Sequence, residues 1–111
     1  AFHREARLAL RVAARHLGLE PDQYDLRSNF AGPAVSGEIT LHADEIYVQA
    51  SIPSFGPGRE VLFRRCRDRR DYLGDRNNFC DIAILAVPER FRALVVRETG
   101  LSINPRQQAL V

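Results

Sequence analysis

Apolar residues recur at helical spacing over residues 3–17. Ala6, Ala9, Leu10, Ala13, Ala14 and Leu17 share one face, and Arg4, Arg7, Arg11 and Arg15 form a stripe on the other. Gly18 stands where a left-handed cap ends a helix, and the small alanines predict a helix that lies close against a sheet. Residues 19–37 carry Pro21, Asp22, Asp25, Ser28, Asn29, Gly32, Pro33, Ser36 and Gly37. That density of turn formers predicts a connector with at most one helical turn at residues 21–24.

A different period follows. Glu38, Ile39, Thr40, Leu41, His42 alternates polar and apolar, and so does the run from Glu45 to Ile52, with Ala43 and Asp44 between them as a two-residue reversal. This predicts an antiparallel hairpin. Its inward face is Ile39, Leu41, Ile46, Val48, Ala50 and Ile52, and its wet face is Glu38, Thr40, His42, Tyr47, Gln49 and Ser51.

The proline and glycine of residues 53–58 interrupt the pattern, and Glu60 to Cys66 reads as a third strand completing a meander. The apolar run Ile82 to Val87 fits a buried strand or a helix, and helix is the expectation, capped by Asn77 or Asn78 and stopped by Pro88. Phe91, Leu94 and Val95 mark a second helix over residues 88–99, closed by Gly100, and residues 101–111 read as an irregular tail. The predicted fold is α+β: an N-terminal helix, a three-stranded antiparallel meander and one or two C-terminal helices packed on one sheet face. With 111 residues it forms a single domain.

Composition and the start of the chain add four constraints. An apolar share of 45% and a charged share of 27% belong to a globular chain, and no run is long enough to span a membrane. All sixteen basic residues are arginine, a usage that points to a GC-rich, bacterial genome. The first residues lead straight into the helical pattern, which reads as a trimmed start without a signal peptide. Cys66 and Cys80 make no disulfide framework, so free thiols in a reducing cytoplasm are expected.

Charge is unevenly distributed. Residues 59–76 hold seven arginines against four acids, a net of +3, and the rest of the chain holds nine against ten, a net of −1, which together make the overall +2. The candidate ligand-binding residues are therefore Arg59, Arg64, Arg65, Arg67, Arg69, Arg70 and Arg76, with Tyr72 as a stacking ring and Tyr47 and Gln49 on the polar sheet face. Phe79 is a second ring in reach. The plain alternative is that these arginines pair with Asp68, Asp71 and Asp75 in a solvated network. The backbone of Gly56, Pro57, Gly58 and Arg59 is a second, weaker anion candidate.

No phosphate loop, serine elbow, zinc spacing or cofactor motif is present in the sequence. The function expected is non-catalytic binding of a nucleic acid or an acidic protein, without cofactor or metal. One alternative is a protein-interaction or homodimerisation module that uses a sheet edge or the loop around Phe55. Another is a small enzyme with His42 as acid or base and an arginine holding an anion.

Overall fold

The fold is that of a computed structural model, which describes residues 2–29, 37–51 and 58–103. Helix α1 spans Phe2–His16. A short 3-10 turn, Pro21–Gln23, leads into strand β1, Tyr24–Asn29. Strands β2 (Glu38–Ala43), β3 (Ile46–Ser51), β4 (Val61–Arg65) and β5 (Asn78–Cys80) follow. A 3-10 segment, Ile82–Ala86, and helix α2, Pro88–Thr99, complete the order. The five strands form one antiparallel meander in the order β1-β2-β3-β4-β5.

The α+β class and both helices agree with the sequence pattern, whereas the sheet has five strands instead of three. Strand β1 lies inside the stretch read as a connector. Its residues Tyr24, Leu26 and Ser28 face the helices and Asp25, Arg27 and Asn29 face away, so only two of six positions are large and apolar. An edge strand with one neighbour needs no more. Strand β5 has three residues, too few for a periodic signal, and exists because Leu62 pairs with Phe79 and Val61 with Cys80. The helix expected across Ile82 to Val87 is a 3-10 segment capped by the side chain of Asp81, which accepts from the Ala83 amide, not by Asn77 or Asn78. Both asparagines precede it, and Asn78 already belongs to β5.

The hairpin has the expected faces in a different register. Asp44 and Glu45 make the turn, His42 pairs with Tyr47 and Leu41 with Val48. A turn at Ala43 and Asp44 would pair Leu41 with Ile46. The pairing has therefore shifted by two residues, and an even shift preserves which side chains face the core. Ala43 is 1% exposed, held in the core instead of at the turn tip.

The core lies between the helices and one sheet face. Ala6, Leu10, Ala13 and Ala14 of α1 and Phe91 and Val95 of α2 cover Ile39, Leu41, Val48, Ala50, Val61 and Phe63. The Phe63 and Phe91 rings meet edge to face with centroids 5.7 Å apart, anchoring α2 over β4. The Arg7 guanidinium donates to Ser28 Oγ at 3.0 Å, tying α1 to the outer edge of β1. Gly18 and Gly100 take the left-handed angles that end the two helices. No helix among the described residues is long and apolar enough to cross a membrane. Ile52, the Phe55 loop, Gly56 and Pro57 and the tail beyond residue 103 lie outside the described residues.

Candidate nucleic-acid interface

The second sheet face is built of rows that run across the strands. One row is Asp25, His42, Tyr47 and Arg64, and the next is Arg27, Thr40, Gln49, Leu62 and Phe79. Strand pairing places all nine on the side away from the helices, whereas sequence alternation had indicated His42, Tyr47, Thr40 and Gln49. Alternation does not show that the two rows have different fates.

The first row is covered. The connection between β4 and β5, residues 66–77, folds back over it and buries His42, Tyr47 and Arg64 to 5%, 7% and 8% exposure. Arg64 is the pin. Its guanidinium carbon lies over the Tyr47 ring, 4.3 Å from the centroid, Nη2 donates to the Tyr72 carbonyl at 2.6 Å and Nη1 to Asn77 Oδ1 at 3.1 Å. The His42 imidazole makes edge contacts with Tyr47 and Tyr72, and its Nε2 is 3.0 Å from the Asp68 carbonyl, a distance that fits Nε2–H as donor. Burial holds the His42 pKa below its ordinary value, with the nearby Arg64 adding to the effect. Burial also raises the Tyr47 phenol, which donates to Gln49 Oε1 at 3.0 Å.

Asp71 organises the loop from within. Its carboxylate accepts from the backbone amides of Gly74, Arg67 and Leu73 and from Arg67 Nε. These donors, with the Gly74 amide foremost, hold its pKa at about 2. Gly74 has φ +58°, and a Cβ there would stand 2.7 Å from the Arg65 carbonyl oxygen and 2.8 Å from Arg64 Cδ. The Asp75 amide donates to Arg65 O and the Cys66 amide to Glu45 O, closing both ends of the loop onto the sheet.

The candidate arginines thus divide. Arg64 is structural in its contacts. Arg69 bridges Asp44 at 3.3 Å, Asp25 at 3.7 Å and the Asp22 carbonyl at 2.8 Å, joining the loop to β1 and the hairpin turn. Arg65 pairs with Glu45, Arg67 with Asp71 and Arg76 with Glu98. Arg70 is exposed and has no ion pair among the described residues. A cleft of about 350 Å³ beside the loop is bordered by Arg65, Arg67, Asp71 and Asp75, so both signs of charge line it.

The second row stays open. Arg27 is exposed, and Thr40, Gln49, Leu62 and Phe79 are half-buried. Arg59 reaches this row: its guanidinium carbon sits 4.7 Å from the centroid of Phe79. At the opposite end Tyr72 stands 57% exposed beside the row, and Arg27 Nη1 donates to its hydroxyl at 3.4 Å. Arg27, Thr40 and Leu62 were missed by charge counting because only pairing across strands assembles them.

Cys66 and Cys80 are free and buried. Burial raises their thiols to about 11 and about 12, and the Cys66 Sγ–H donates to the Ala43 carbonyl. Among the described residues no cluster of metal-ligating side chains occurs. No family model, curated protein or solved structure matches the chain.

Proposed function

We propose that the domain binds nucleic acid, without catalysis, on the open row of its sheet face. One observation supports this above the rest: two aromatic rings stand at opposite ends of that row, each with an arginine at hand, Arg59 over the Phe79 ring and Arg27 at the Tyr72 hydroxyl. Rings offer a π-face to any base and guanidinium groups take phosphate or stack on bases. Thr40 and Gln49 supply polar contacts between the two ends, and Arg70 adds a cation on the covering loop.

This reading narrows the arginine-rich segment to its accessible members. Arg59, Arg70 and Tyr72 remain as ligand contacts, Gln49 joins them through the sheet, and Arg64 and Tyr47 act by holding the loop. An acidic protein is the second partner class that suits exposed arginines, but it makes no use of the rings. His42 is an unsuitable acid or base because its Nε2 is engaged and the ring is enclosed. Free thiols suit a reducing cytoplasm as the setting.

The test is an amide-resonance titration at low salt with single- and double-stranded DNA and RNA. Shifts at residues 27, 40, 49, 59, 62, 70, 72 and 79 are expected. If none of the four ligands moves them, the nucleic-acid reading is wrong.

A further inference from the structure

Resting on that reading, we infer that the ligand is a single strand, its bases unstacked and laid across the sheet from Tyr72 to the Arg59–Phe79 pair. Three features of the face carry this.

The first is width. Arg27 and Phe79 occupy the two edge strands of a five-stranded sheet. Four strand spacings of ~4.8 Å put them ~19 Å apart. The major groove of a duplex is only ~12 Å wide and admits a helix or a two-stranded ribbon. A five-stranded face cannot enter it, and the shallow surface of a duplex would touch only the rim of the row.

The second is ring presentation. Tyr72 meets His42 edge to face, with 77° between the ring planes, so the Tyr72 ring is braced at one side while more than half of the residue stays open. The Arg59 guanidinium, whose carbon lies 4.7 Å from the Phe79 centroid, is a planar group on which an incoming base can stack. Both are stacking platforms for unpaired bases, which a duplex does not expose.

The third is charge. Arg64 is buried, and Arg65, Arg67, Arg69 and Arg76 each have a carboxylate partner. Arg59 and Arg70 are left, with Arg27 shared with Asp25 at 3.7 Å. Two or three phosphate contacts give a shallow salt dependence and cannot hold a duplex by its backbone alone, so affinity must come from stacking.

The experiment is fluorescence anisotropy with labelled oligothymidine, oligouridine and a mixed-sequence duplex, run on the intact chain and on Tyr72→Leu and Phe79→Leu. Leucine keeps apolar volume at both positions, and Leu8→Ala on the outward face of α1 serves as control. The expected result is single-strand binding roughly tenfold or more tighter than duplex binding, weakened roughly five- to a hundredfold by each ring substitution and unchanged in the control. That preference with either oligonucleotide, together with the ring effects, supports the inference. Equal affinity for the duplex, or ring substitutions without effect, overturns it and leaves nucleic-acid binding standing. No binding to any of the three overturns the inference, and the four-ligand resonance titration then decides whether nucleic-acid binding falls with it.

Discussion

The Arg64 guanidinium carbon lies over the Tyr47 ring, 4.3 Å from its centroid, and this contact between neighbouring strands fixes the loop that divides the sheet face. From this position its two terminal nitrogens hold the loop at Tyr72 and Asn77. A lysine has neither the plane nor the fork.

Arg64→Ala is expected to lower stability by about 2 to 4 kcal/mol, since it removes charge-assisted bonds from a buried site and leaves a carbonyl without its donor. Arg64→Lys recovers only part of this. Tyr47→Phe keeps the ring and loses only the bond to Gln49, so it costs about 0.5 to 1.5 kcal/mol. Urea midpoints of the three variants check the order, and equal losses from Arg64→Ala and Tyr47→Phe would show that the stack is not the pin.

Gly74 and Gly100 both have positive φ, yet their surroundings differ. A Cβ at Gly100 meets nothing within 4 Å, whereas at Gly74 it meets a backbone oxygen at 2.7 Å. Gly100→Ala is expected to cost about 1 to 2 kcal/mol for the left-handed backbone alone. Gly74→Ala adds a clash that only displacement of the loop relieves, and it should expose His42 and Tyr47. Thermal melts and tyrosine emission compare the two, and similar melting points would contradict the close approach.

Acid should weaken the loop in two stages. The His42 pKa lies below its ordinary 6.5 because the buried ring resists a charge. The unfolded chain therefore takes up that proton first, and stability falls as the pH drops below about 6.5. Asp71 is held at about 2, against an ordinary 3.8. Its contribution is complete above about pH 4 and is lost as the pH falls toward 2. Amide exchange in residues 66–77 across this range should show both steps, and His42→Gln should abolish the first. A flat profile between about pH 7 and 5 in the intact chain would rule out the first step.

The two thiols should be inert in the folded protein. Burial raises Cys66 to about 11 and Cys80 to about 12, so thiolate is scarce near neutral pH and the sulfurs are enclosed. Reaction with a chromogenic disulfide reagent should be slow until denaturant is added, then consume both. Rapid reaction of either thiol under native conditions would mean that its cover opens readily.

The chain's own pattern determined both helices, the inward and outward faces of the central hairpin and the limits of α2. Those features follow from local periodicity and caps, in which every residue reports on its own element. Strands β1 and β5 were not legible, because an edge strand and a three-residue strand owe their existence to the partner they pair with. The charge count found the segment 59–76 but could not separate Arg64, stacked and buried, from Arg59 and Arg70, which stay exposed. That separation belongs to tertiary structure: the loop folds back over one row of the sheet and not the next. The open row of Arg27, Thr40, Gln49, Leu62 and Phe79 draws one residue from each of five strands, and register alone makes them neighbours.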